Sequence, residues 1–171
     1  MITNQIIDVI QTVILFGGFI IAIRQIILLS KQIRLMTTQI QEQISWQRKN
    51  VSFDYLKKYA QDSKETNINL QKKLDILKQD GKQIAVEDML EKLKDPQTRV
   101  ELYEIVSYFE YMAIGIQENY FDENIIKKAK LNAVISTYKA LKPYLLLRRN
   151  ETNGKIGEHF EQLALKWEKE N

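Results

Sequence analysis

The chain has 171 residues, 44% of them apolar and 27% charged, with a formal net charge of +3. That composition suits one folded domain plus an anchor, and the charge is too small to argue for nucleic acid by itself. The chain has no cysteine and a single histidine, His159, which excludes disulfides, thiol catalysis, Cys-ligated zinc and any multi-histidine metal site. No cofactor is expected.

Glycine and proline are scarce, Lys, Glu, Gln, Leu and Ile abound, and no β-branched run alternates strictly with polar residues, so the expected fold is all-α. From Val9 to Ile23 only Gln11 and Thr12 interrupt an apolar run, which resumes after Arg24-Gln25 as Ile26-Ile27-Leu28-Leu29. A bilayer core takes about 20 residues of helix, and Val9 to Leu29 supplies them if Arg24 snorkels to the headgroups. The N-terminal flank carries Asp8 and no Lys or Arg, unlike a cleaved leader, so an uncleaved anchor is expected. Arg24, Lys31, Arg34, Arg48 and Lys49 follow the span. The positive-inside rule then leaves the N-terminus outside and the C-terminal domain in the cytoplasm.

Asn4, Gln11, Gly18, Gln25, Gln32 and Gln39 recur every seven residues, with Asp8 and Ala22 on the same side. One face of the span is therefore polar or small, whereas Ile6, Val13, Ile20 and Ile27 lie on another. A solitary lipid-facing helix has no use for Gln11 and Gln25, because each amide wants a partner in hydrocarbon. In one reading Gly17, Gly18 and Ala22 allow close helix packing and the glutamines bond between chains. In the other, several copies surround an aqueous lumen lined by Asn4, Asp8, Gln11, Gly18 and Gln25. Both require a homo-oligomer in the lipid bilayer.

Residues 31–62 read as a long juxtamembrane helix. Ile26, Ile33 and Ile40 are spaced by seven, and Ile44 and Val51 repeat that spacing after a four-residue shift. Trp46, Phe53, Leu56 and Tyr59 are expected to mark entry into a globular core. Residues 63–171 form the cytoplasmic helical bundle, and residues 1–30 the transmembrane helix. Within the bundle, Thr66 to Gln79 is helical through Ile68 or Leu70, Leu74 and Leu77, and Asp80-Gly81 is a stop. A short helix covers Val86 to Leu93. Asp95-Pro96 is an N-cap followed by proline at the first helical position. The helix it opens runs to about Asn119 with Leu102, Val106, Phe109, Met112, Ala113 and Ile116 on its apolar face. Asp122 caps the next, whose face is Ile125, Ile126, Ala129, Ala133, Val134, Tyr138 and Leu141; Pro143 ends or kinks it. Asn153-Gly154 is a turn, and Ile156 to Glu168 a last helix with Phe160, Leu163, Leu165 and Trp167 inward.

Between Asn124 and Asn150 the chain carries Lys127, Lys128, Lys130, Lys139, Lys142, Arg148 and Arg149 and no acid. This is either a solvated face or a phosphate-binding surface for RNA, nucleotide or lipid headgroups, with Lys127, Lys128, Lys130, Arg148 and Arg149 the binding candidates. Glu110 lies in the apolar run Tyr108-Phe109-Glu110-Tyr111-Met112. If buried it needs a cation or several hydrogen bonds, and Arg148 or Arg149 is a reasonable partner. His159 reads as a surface or capping residue.

The anchor, Trp46-Gln47-Arg48-Lys49-Asn50, the stretch from Tyr108 to Ile116, Tyr120-Phe121-Asp122-Glu123, Lys142-Pro143-Tyr144 and Arg148-Arg149 together resemble a family. Its members are small bacterial single-pass membrane proteins with a helical cytoplasmic domain of unknown function. Such chains are similar to the membrane accessory proteins of type VI, RNA-targeting CRISPR loci. The resemblance implies a divergent HEPN-like helical domain and an oligomeric pore that strengthens antiviral (phage) defence, with an RNA-guided CRISPR effector or RNA as a partner. HEPN ribonucleases use an Arg, often followed by Asn, then a His four to six residues on. Here Arg149-Asn150 precedes His159 at a longer spacing, which departs from that pattern. The expected function is therefore a non-enzymatic membrane effector. The alternatives are a tethered ribonuclease using Arg149, Asn150 and His159, or a scaffold for a cytoplasmic partner.

Overall fold

A computed structural model of the chain describes residues 2–62, 64–74, 83–152 and 154–171. Leu77, the Asp80-Gly81 stop signal and Asn153 of the expected turn lie outside the described residues. Among the described residues there are helices and no strand: α1 (Ile2–Asp62), α2 (Lys64–Leu74), α3 (Val86–Lys92), α4 (Pro96–Gln117), α5 (Glu123–Thr152) and α6 (Glu158–Lys169). The protein is all-α. It falls into two compact units, Met1–Trp46 and Gln47–Asn171.

The first unit is a single helix, about 68 Å of it at 1.5 Å per residue. It contains a stretch long and apolar enough to cross a membrane, and its window is unburied among the described residues. The apolar side chains described from Val13 to Leu29 are 42% to 74% exposed. Uncovered apolar surface of this extent is stable against lipid or another protein, not against water. Ile33, Met36, Ile40 and Ile44 are exposed as well, so the heptad-spaced residues meet no packing partner among the described residues.

The second unit is a helical bundle that begins inside α1. Ser52 is fully buried; its hydroxyl donates to the Arg48 carbonyl and accepts the Asp122 N–H, both at 2.8 Å. One turn on, the Tyr55 hydroxyl donates to the Tyr108 carbonyl at 2.8 Å, and the rings of Tyr55 and Tyr59 both stack on Tyr108. Tyr59 is buried and Leu56 partly so, whereas Trp46 and Phe53 are exposed, contrary to expectation. Phe53 stands on the same turn as buried Ser52, but on a face of α1 that the packed side chains of the second unit leave open.

α4 runs through the middle of this unit, packing on α2 and α6, while α5 packs on α3 and α6. It starts as the sequence predicts: Pro96 opens it and Asp95 accepts the N–H groups of Gln97 and Thr98. Leu102, Val106, Phe109, Met112 and Ala113 are buried along its apolar face. Its end is set by Gly115. The carbonyl of Gly115 takes the N–H groups of Tyr120 and Phe121 at 2.8 and 3.0 Å, and the Phe121 ring then lies where a Cβ on Gly115 would stand.

Asp122 caps α5 as expected, accepting from Asn124 and Ile125. Pro143 does not end that helix, which continues to Thr152. The proline removes one backbone donor. Tyr138, Leu141, Tyr144 and Leu145 are buried on both sides of it, and this shared burial holds the helical path. Ala129 and Ala133, expected inside, are exposed. In α6, Phe160, Leu163 and Trp167 are buried as expected; Ala164 is buried in place of Leu165, which is 40% exposed.

Candidate functional site

The residues singled out in the sequence fall into three places. The first is the face of α1 in the N-terminal unit. On a straight helix a seven-residue step falls about 20° short of closure, so Gln11 and Gln25 stand about 40° apart and share one face with Gly18 between them. All three are exposed. Among the described residues, and apart from the helix's own neighbouring atoms, nothing lies within 4 Å of where a Cβ would stand on Gly17 or Gly18. Asn4 and Asp8 lie on helical backbone, and their side chains are outside the described set.

The second place is the junction of α4 with the start of α6. Gly157 precedes α6 with φ +69°, a left-handed conformation that glycine adopts freely, and it has no side chain to cap the helix. Glu110 of α4 supplies the missing acceptor. Its carboxylate takes the backbone N–H of Phe160 at 2.8 Å and of His159 at 3.3 Å, and it lies 2.8 Å from His159 Nδ1. The partner of Glu110 is therefore this helix terminus and His159, not Arg148 or Arg149. A helix N-terminus carries partial positive charge and free N–H groups, which is why a carboxylate settles there.

Arg149 is occupied nearby. Its Nε donates to the Ile156 carbonyl at 2.7 Å and its Nη1 to Glu161 at 2.6 Å, while Nη2 is buried without a partner among the described residues. Glu161 also accepts the Tyr138 hydroxyl. Burial alone would raise the Glu161 carboxyl, yet the bonds from Tyr138 and Arg149 and the Arg149 charge together hold it below the ordinary value. Burial and the adjoining Glu161 carboxylate push the Tyr138 phenol up. His159 and Arg149 are thus both engaged in joining α4, α5 and α6. Asn150 is exposed on the last turns of α5.

The third place is the basic face of α5, where most cations have acidic partners. Lys127 pairs with Glu170 at 2.7 Å and Lys139 with Glu168 at 2.6 Å, both acids standing at the end of α6. Arg148 pairs with Glu151 at 2.5 Å. Lys130 lies 4.8 Å over the Tyr59 ring, and burial pulls its ammonium below the ordinary lysine value. Lys128 and Lys142 are exposed. Residues that read as one basic run are spread around the helix.

One ionic cluster carries no signal in the sequence. Glu101, 2% exposed, is held by Lys73 at 3.2 Å and by the amides of Gln97 and Asn69 at 3.3 and 3.5 Å. Lys73 also reaches Asp95 and Thr98, so the cap of α4 and the end of α2 share one ammonium. Among the described residues no group of three or more His, Cys, Asp or Glu is arranged to hold a metal.

An all-α chain with one long apolar helix and a packed helical unit defines the class of protein. The chain belongs to the family described as Domain of unknown function (DUF4760), which it matches over residues 12–167. No curated protein and no solved structure matches it.

Proposed function

We propose that the protein is a non-enzymatic, homo-oligomeric membrane protein. It crosses the bacterial inner membrane once through α1, with its C-terminal unit in the cytoplasm, and permeabilises or depolarises that membrane as a CRISPR-associated effector of phage defence. The observation that carries this reading is the uncovered face of α1, where Gln11, Gly18 and Gln25 interrupt an otherwise apolar surface. A glutamine amide in hydrocarbon requires a partner or water. Copies of the same helix provide either one. Gly17 and Gly18, whose Cβ positions are open among the described residues, allow such copies to approach closely. In this reading the heptad pattern of the sequence adds Asn4 and Asp8 to the same stripe.

The defence context rests on the family resemblance of the stretches around Trp46, Phe109 and Pro143. The ribonuclease reading loses support from the geometry, since Arg149 and His159 are both engaged in joining helices. The test is dye release from liposomes carrying the full chain, wild type against the double substitution Gln11→Leu, Gln25→Leu. Release by the wild type, abolished when the stripe becomes apolar at unchanged length, is the expected result. Retention of dye by correctly inserted wild type rejects the pore, and a strict monomer in mild detergent and lipid rejects the oligomer.

A further inference from the structure

The C-terminal unit carries a cleft that plays no part in the proposed membrane activity, and its chemistry stands independently of that activity. It lies between the start of α4, the α3 helix and the last turns of α5, and measures about 540 Å³. That is the size of a small-molecule site. One wall is apolar: Leu90, Pro96 and Val100, with Leu90 and Val100 48% and 52% exposed. The rest of the lining is Leu93, Tyr103, Tyr144, Arg99, Arg148 and the Glu151 carboxylate that pairs with Arg148. Tyr103, Tyr144 and Arg148 also line a smaller neighbouring cavity of about 180 Å³.

Three features decide what this cleft accepts. The Tyr103 ring lines the cleft and is 59% exposed, as Tyr111 on the same helix is at 64%. Such a face is a stacking platform for a planar group. Arg99 has no side-chain partner among the described residues. Arg148 is tied only to Glu151 and the Tyr144 hydroxyl, and its pair with Glu151 is 38% and 56% exposed. An exposed pair of this kind is weak, and a guanidinium has five donors, so an arriving anion can share Arg148 without stripping it from Glu151. The two guanidiniums come from different helices and flank the same space, which suits the several oxygens of a phosphate better than one carboxylate.

We propose that this cleft binds a nucleoside phosphate, with the base stacked on Tyr103 against Val100 and the phosphate held between Arg99 and Arg148. The phosphate-binding capacity that the sequence spreads over Lys127, Lys128, Lys130, Arg148 and Arg149 then belongs to Arg148 alone among them, joined by Arg99 from α4.

The test is calorimetric titration of the full chain in detergent micelles with AMP, and separately with adenosine, inorganic phosphate and octanoate. Saturable AMP binding is expected, with adenosine and phosphate each at least about tenfold weaker, since each keeps only one of the two contacts. Arg99→Ala and Arg148→Ala should each weaken AMP by about ten- to a hundredfold, as loss of a charge-assisted bond does. Tyr103→Ala should weaken AMP by about fivefold or more and Tyr103→Phe by little, because stacking needs the ring and not the hydroxyl. All these side chains are solvent-exposed, and an unchanged melting curve confirms that each variant folds. Absence of saturable AMP binding overturns the proposal. So does AMP binding indifferent to all three alanine substitutions, or octanoate binding as well as AMP, which would make the cleft a site for apolar acids.

Discussion

The carboxylate of Glu110 accepts the backbone N–H of Phe160, fifty residues on in the chain, at 2.8 Å, and so caps a helix from a distant part of the sequence. Caps are ordinarily supplied by the residue just before a helix. Here that residue is Gly157, which has nothing to offer, and the acceptor comes from the middle of α4. The cap is therefore a tertiary contact, and α6 is formed fully only when docked on α4. Glu110→Ala leaves two helix N–H groups without their acceptor and should cost about 2 kcal/mol, or about 6 °C in Tm. Glu110→Gln keeps an acceptor and should cost about half of that. His159→Ala removes one partly exposed contact and should cost less than about 1 kcal/mol. Thermal melts followed by circular dichroism measure all three, and equal Tm for Glu110→Ala and wild type would show that the cap adds nothing to stability.

The glycines separate into two kinds. Gly157 holds φ +69°, and a Cβ there would stand 2.7 Å from Leu145 Cδ2, in a fully packed region. Gly157→Ala adds left-handed strain to that clash and should destabilise by about 2 kcal/mol. Gly115→Ala drives a methyl into the Phe121 ring and should cost about as much. Gly17→Ala and Gly18→Ala meet nothing among the described residues beyond the helix's own neighbouring atoms and should leave the melting of the C-terminal unit unchanged. Bulky substitution at the same two positions should weaken self-association, read as a smaller species by size-exclusion with light scattering.

Stability should fall on both sides of neutrality. The Asp95 carboxyl is brought down to about 2 by hydrogen bonds from Thr98 and Lys73. Glu123 and Glu161 are also held below their ordinary values, the bonds from Lys166 and Trp167, and from Tyr138 and Arg149, outweighing burial. A carboxylate with a depressed folded pKa contributes stability that is complete above its unfolded value. That stability is lost as pH falls from about 4.5 toward 2. Salt should reduce the share of Asp95, which is well exposed. Burial raises the phenols of Tyr55, Tyr108 and Tyr138, so their contribution is intact below about 10 and lost as pH rises beyond it. Tm measured across pH should show a plateau flanked by two declines, and a constant Tm from pH 5 to 3 would contradict the acidic one.

Local signals were readable in the sequence because they act within a few residues. Asp95-Pro96 and Asp122 define helix starts through bonds to amides two or three residues ahead, and they do so here. The apolar face of α4 and the uncovered face of α1 follow from periodicity alone. Pairings between helices depend on register and depth, which one sequence does not encode legibly. Glu110 found its partners 49 and 50 residues away, and Lys127 and Lys139 found theirs at the end of α6. Pro143 carries a local stop signal that burial on both flanks overrides, and Glu101 looks like one more surface acid until Lys73, Gln97 and Asn69 are seen around it. The cleft of Tyr103, Arg99 and Arg148 was illegible for the same reason: its walls come from α3, α4 and α5.

The cations of α5 should prove unequal when removed. Lys127 and Lys139 pair with Glu170 and Glu168 across well-exposed faces, and each partner acid is more than two-fifths exposed. Pairs of that kind contribute about 0 to 1 kcal/mol, so Lys127→Ala with Lys139→Ala should lower stability by less than about 1 kcal/mol in all. Arg149 is different. With Glu161 it forms a pair whose side chains are 22% and 25% exposed, and it also holds the Ile156 carbonyl of the turn before α6. Arg149→Ala leaves Glu161 half-buried with only the Tyr138 hydroxyl, and should cost about 2 to 3 kcal/mol. Arg149→Lys should recover little, since an ammonium does not span both acceptors at the angles a guanidinium allows. Urea unfolding at fixed ionic strength distinguishes these outcomes. A double lysine variant as unstable as Arg149→Ala would mean that the basic face, and not the Arg149 junction, holds α6 to α5.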